Sequence, residues 1–195
     1  MKRTEYISAS RTASLRAALV GVMLAIVTIL FGQGMGIVFG LNEDAIKTRL
    51  KASAAEVRDT IYKGDDAAIE AVQGKAWVYM QRAHLHAGAM GTTALGLILL
   101  MCLLGTSQRV AAAIGVGLGA GGFGYSIFWM WAGFRAPALG GTAAAKESLK
   151  WLAVPSSGAF VLATVAVLVL LIASIVPRGR PNTPRSSDPD HEDND

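Results

Sequence analysis

Charge is what this chain has least of. Only 16% of its 195 residues are Asp, Glu, Lys or Arg, against 52% hydrophobic, whereas a soluble domain usually carries about 25% charged residues. No charged residue falls inside four long apolar stretches, residues 17–41, 83–104, 110–134 and 152–176. That argues against a proton relay or ion carrier, which keeps at least one ionisable group at membrane depth. Cysteine is nearly missing too. The lone Cys102 excludes an internal disulfide and reads as a small apolar packing residue. A nucleophile–base pair, an HExxH motif and a P-loop are all absent from the sequence. The net charge is +4, yet no basic stripe with interleaved aromatics appears, which argues against nucleic acid as a partner.

What remains is membrane-like. Each stretch holds about 20 or more residues, enough to cross a hydrocarbon core of about 30 Å as a helix. The expected fold is an all-α integral membrane protein, a four-helix antiparallel transmembrane bundle, with the lipid bilayer as its first partner. The first stretch contains Phe31-Gly32-Gln33-Gly34-Met35-Gly36 with no A-x-A cleavage pattern, so it reads as a retained helix rather than a signal peptide. Lys2, Arg3, Arg11 and Arg16 precede it, and Arg178, Arg180 and Arg185 follow the last stretch. Flanking basic residues mark the cytoplasmic side, giving an N-in, C-in orientation in a bacterial-type inner membrane.

The chain then divides into a basic N-terminus (1–16), a membrane domain (17–176) with an extramembrane loop at 42–82, and an acidic tail (177–195) expected to be disordered. In the loop, Ile46, Leu50, Ala54, Val57 and Ile61 recur at helical spacing. Lys63-Gly64-Asp65-Asp66 should break that helix, and a second helix from about Ala67 should run into the second span. Trp77 and Tyr79 would lie at the interface. The loop as a whole is expected to be a surface-lying connector.

Two histidines open the second span, in Arg82-Ala83-His84-Leu85-His86. Positions two apart differ by roughly 200° around a helix, so His84 and His86 face nearly opposite ways and cannot share one metal. One of them can still be an axial haem ligand. His84 shares its face with Gly88 and Gly91, a smooth surface past which a porphyrin edge could lie; His86 shares its face with Met90 and Thr93. The competing reading makes both histidines interfacial polar residues. Glycines at spacing four (Gly32, Gly36, Gly40; Gly117, Gly121) suit close helix packing, or a flat wall for a macrocycle. Gly121 continues into Tyr125 and Trp129 at the same spacing.

These residues resemble the styrene oxide isomerase family of small four-helix membrane enzymes. The likeness rests on Leu30-Phe31-Gly32-Gln33-Gly34, Arg82-Ala83-His84, Gly124-Tyr125-Ser126-Ile127-Phe128 followed by Pro137, and Leu152-Ala153-Val154-Pro155. The resemblance implies haem b between neighbouring subunits of a homotrimer, with His84 as its axial ligand. It implies Lewis-acid isomerisation of a small hydrophobic aryl epoxide to an aldehyde in an apolar pocket that excludes water. Gly88, Gly91 and Gly121 would border the haem. Tyr125 or Ser126 would serve as the polar group near the oxygen, and Met90, Phe128 and Trp129 would line the pocket. The family has an asparagine where this chain has Met90, and its tyrosine aligns with Ser126 rather than Tyr125. Two other readings therefore stand beside it: a non-catalytic haem-binding redox or sensor protein, and a cofactor-free structural membrane protein.

Overall fold

The computed structural model describes residues 2–176. The expected disorder of the acidic tail falls outside the described residues. Within them the chain is all-helical, with five helices: α1 (Lys2–Ala55), α2 (Asp66–Leu103), α3 (Gln108–Arg135), α4 (Thr142–Ser148) and α5 (Lys150–Ile175). Four of these, all but the short α4, are long and apolar enough to cross a membrane. Each of the four apolar stretches falls on one of them, the second and fourth running one residue past the helix end.

The breaks between helices have local causes. Directly after the first apolar stretch, α1 bends at Asn42 (φ −131°, ψ 24°). There the Asn42 side-chain amide donates to the Val38 carbonyl at 3.2 Å, a carbonyl four residues back at the bend. The predicted break at 63–66 is present. Lys63 and Gly64 both take positive φ (53° and 79°), and Asp65 caps α2 by accepting from Ala68 N–H at 2.9 Å. Gly105 (φ 69°) ends the turn after α2.

Glycines set how closely the helices approach. A Cβ placed on Gly21 would overlap the Gly115 backbone, and one on Gly119 would lie 2.7 Å from the Gly21 carbonyl. Such small-residue seams let α1 and α3 run nearly in backbone contact. A Cβ on Gly133 would meet Met80 Cγ at 2.6 Å, and one on Gly121 would meet Ser156 O at 2.7 Å. The order of such contacts gives each direction: Ala18 with Gly115 and Leu24 with Gly119, Gly36 with His84 and Gly32 with Ala87, Gly117 with Ala163 and Gly121 with Ser156. Moving up α1 means moving down α2 and up α3, and α5 returns antiparallel to α3. The bundle is therefore up-down-up-down, with α1, α2 and α3 packed on one another and α5 held mainly by α3.

At the end holding the start of α1, Ser10 and Ser14 donate to the carbonyls of Gly105 and Thr106. The last turns of α5 reach the same end, where Leu170 and Ala173 face the Gly105–Ser107 turn. The outer face of α5 is bare. Only Ala163 and Val167 of this helix are buried, and Val161, Leu162, Leu168, Val169, Ile172 and Ile175 are exposed. An apolar face of that extent suits lipid and not water.

At the opposite end the expectation of a surface-lying connector is corrected. Leu50 is 2% exposed and shares a core with Met80, Phe128, Ala132, Ala145 and Leu149. Ala54, Tyr62 and Ile69 form a small core of their own. The Tyr62 hydroxyl donates to the Pro137 carbonyl at 2.7 Å in a buried site. The loop is thus a folded cap joined to the α3–α5 connection. The amphipathic pattern announced its helix but not the second apolar surface, built from another loop, that receives it.

Candidate functional site

The two histidines lie about five helical turns into α2 (Asp66–Leu103), where its apolar stretch begins, and face apart, as their spacing requires. His84 turns toward α1. Its Nδ1–H donates to the Gly32 carbonyl at 2.7 Å, an arrangement that in the neutral ring puts the lone pair on Nε2. The imidazole lies over Gly36, where a Cβ would come within 2.8 Å of its Cε1. Gly36 is therefore the residue that admits the ring. Both glycines belong to the spacing-four row on α1, and their position opposite His84 follows only from the packing of α1 on α2.

His86 turns toward α3. Its Nδ1 donates to the Arg82 carbonyl at 2.8 Å, and its ring lies 5.5 Å from both Tyr125 and Trp129. Around it Tyr79 meets Trp129 edge-on at 4.9 Å, and Tyr125 stacks on Phe128 at 5.7 Å. The Arg82 guanidinium lies 5.3 Å from the rings of both Tyr79 and Trp129, in cation–π range. Among the described residues the Trp129 indole N–H is buried without a partner. Sequence reasoning set His86 aside because its face looked bulky. The face it shares with Met90 and Thr93 is met by an aromatic cluster from Tyr79 and α3 that the α2 sequence alone does not announce.

The predicted site residues are therefore split between two seams. His84 faces α1, whereas Tyr125, Phe128 and Trp129 gather around His86 between α2 and α3. Met90 also faces α3, where a Cβ on Gly122 would meet it at 3.4 Å. The predicted smooth wall beside His84 is partly filled. A Cβ on Gly91 would lie 2.7 Å from Ile29 Cγ1, so Gly91 serves contact with α1, while Gly88 stays open with nothing within 4 Å. Gly121 is closed by Ser156 and Phe160 of α5 and is a packing residue in the single chain. Ser126 is fully buried and donates to the Gly122 carbonyl at 2.8 Å. Its hydroxyl is committed to its own helix.

No cluster of three or more His, Cys, Asp or Glu side chains suited to a metal ion occurs among the described residues. A site built wholly from protein ligands is thus not in evidence, while axial ligation of a macrocycle needs only one imidazole. The residues around His84 fit that role. A ring whose Nδ1–H is tied to a backbone carbonyl is held in the tautomer and orientation that a metal ligand uses, and the glycine cradle gives it space. Compared with protein-family models, curated proteins and solved structures, the chain matches none.

Proposed function

We propose that this protein is a multi-pass membrane protein, oriented N-in and C-in in a bacterial-type inner membrane, that binds haem b through His84. The observation that carries the reading is the His84–Gly32 hydrogen bond at 2.7 Å, made over the gap left by Gly36. It leaves Nε2 as the coordinating nitrogen on the α1–α2 seam, with Gly88 open beside it. When bound, haem would supply a Lewis-acidic iron able to polarise an epoxide oxygen. The resemblance to styrene oxide isomerases makes isomerisation of a small hydrophobic aryl epoxide to an aldehyde the activity to test.

The chain's own residues define the rest of such a site. Apolar side chains on the exposed faces keep water from a reacting centre. Tyr125 is the phenol available to a substrate oxygen, since the Ser126 hydroxyl is already bonded to Gly122. His84 and Tyr125 lie on opposite sides of α2, so a pocket that uses both is assembled between two copies. This supports a homo-oligomer, for which the resemblance implies a trimer.

The placement of Met90 and Ser126 favours one second reading. The first offers no hydrogen-bond donor and the second has spent its own, which suits a non-catalytic haem-binding redox or sensor protein. One spectrum separates the readings. Protein purified in detergent from haem-replete cells should show a Soret band that His84→Ala abolishes and His86→Ala retains. A colourless wild type would overturn haem binding and leave a structural membrane protein. A coloured protein that leaves aryl epoxides unchanged selects the second reading.

A further inference from the structure

Beyond the histidines, one face of α2 carries a cationic groove that the haem reading does not use. Lys75, Tyr79 and Arg82 recur along this face, with Thr142 of α4 closing one side. The groove is shallow and open, with a volume of about 640 Å³, and no acid lines it among the described residues. Neither Lys75 nor Arg82 takes part in an ion pair among the described residues. The floor is small and apolar. Gly74 has nothing within 4 Å of its missing Cβ, and Val78 is 43% exposed.

The placement along the helix identifies the occupant. Arg82 stands at the margin of the apolar stretch, and Lys75 is seven residues further out, a rise of roughly 10 Å on the same face. The headgroup layer on one side of a bilayer is about 5–8 Å thick. The two cations thus bracket that layer, with Arg82 at its inner edge and Lys75 at its outer edge. Arg82 is held in place by the Tyr79 and Trp129 rings, which lowers the ordering cost of gripping an anion. A guanidinium suits phosphate oxygens in pairs, and an ammonium supplies a point charge.

We infer that the Lys75–Arg82 groove binds the phosphate headgroup of an anionic phospholipid at the capped end of the bundle. The inference rests on the helices spanning a bilayer and is independent of haem.

Native mass spectrometry of detergent-purified protein, titrated with phosphatidylglycerol or phosphatidylcholine, tests it. The wild type should retain phosphatidylglycerol at least tenfold better than the zwitterionic lipid. Each lost cation removes one charged contact to the phosphate and should weaken retention about fivefold, so Lys75→Gln should lose about fivefold and the double variant with Arg82→Gln about twenty-five-fold. Lys146→Gln, a cation outside the groove, should retain lipid as the wild type does. Lys75 is exposed, so its loss leaves the fold intact and the test stands even where Arg82→Gln misfolds. Millimolar inorganic phosphate should not displace the lipid. Unchanged retention in Lys75→Gln, equal retention of both lipids, or displacement by free phosphate would each overturn the assignment. A colourless protein that still discriminates between the lipids would leave this inference standing while removing haem. A chain that stays in the aqueous phase without detergent would remove the bilayer reading on which it rests.

Discussion

Gly36 and His84 share a space that holds only one side chain. The imidazole fills it, and a Cβ on Gly36 would come within 2.8 Å of His84 Cε1. The ring nitrogen next to that carbon, Nδ1, is bonded to the Gly32 carbonyl, so the ring cannot yield without straining that bond.

Gly36→Ala should therefore displace His84, lower haem content and cost about 1–3 kcal/mol, the usual range for overpacking. Gly34→Ala is the control, because nothing lies within 4 Å of that position. It should stay within about 0.5 kcal/mol of the wild type. Absorbance per chain and thermal unfolding in detergent check both.

The α1–α3 seam should tolerate even less. At Gly21 a methyl group would meet the Gly115 backbone, which can move only if the helices part. Gly21→Ala should fall at or beyond the upper end of the 1–3 kcal/mol range. Gly74→Ala, at an open helical position, should be neutral or slightly stabilising. Comparing Tm between the two variants separates packing from helix propensity.

Tyr62 ties the cap to the α3–α5 connection, and Tyr62→Phe should leave the Pro137 carbonyl without its donor at a cost of about 1–3 kcal/mol. Burial pushes the Tyr62 phenol above its ordinary value. The folded state thus holds the proton more tightly than the unfolded state. The stabilisation is complete below about pH 10, the unperturbed tyrosine value, and fades as pH rises through the higher folded value. Tm measured across alkaline pH should fall in the wild type with a component missing from Tyr62→Phe.

Arg58 bonds both carboxylate oxygens of Asp66, at 2.8 and 2.9 Å. That hydrogen bonding, together with the guanidinium charge, holds the Asp66 carboxyl below its ordinary value. The folded state favours the ionised form. The contribution is therefore present above the unfolded carboxylate value and is lost as pH falls through the lower folded one. Both side chains are well exposed, so the effect is small and weakened by salt. Proteolysis of the 56–65 segment should rise on acidification in the wild type. It should be faster from the start in Arg58→Gln, with less further change.

Much of this architecture follows from local order in the chain. Hydropathy set four helices, because length and the absence of charge act residue by residue along the backbone. Helical periodicity alone turned His84 from His86, and Lys63-Gly64-Asp65 announced its own break through positive φ and an N-cap. Partners are another matter. That His84 meets Gly32 and Gly36, that Gly91 is filled by Ile29, that Ser126 bonds its own helix and that Leu50 is buried under a second loop were decided only by the tertiary structure. The reason is physical: a helix face is encoded by neighbours three and four residues away, whereas what covers it depends on how closely a distant backbone can approach. Here glycines on separate helices set that distance together.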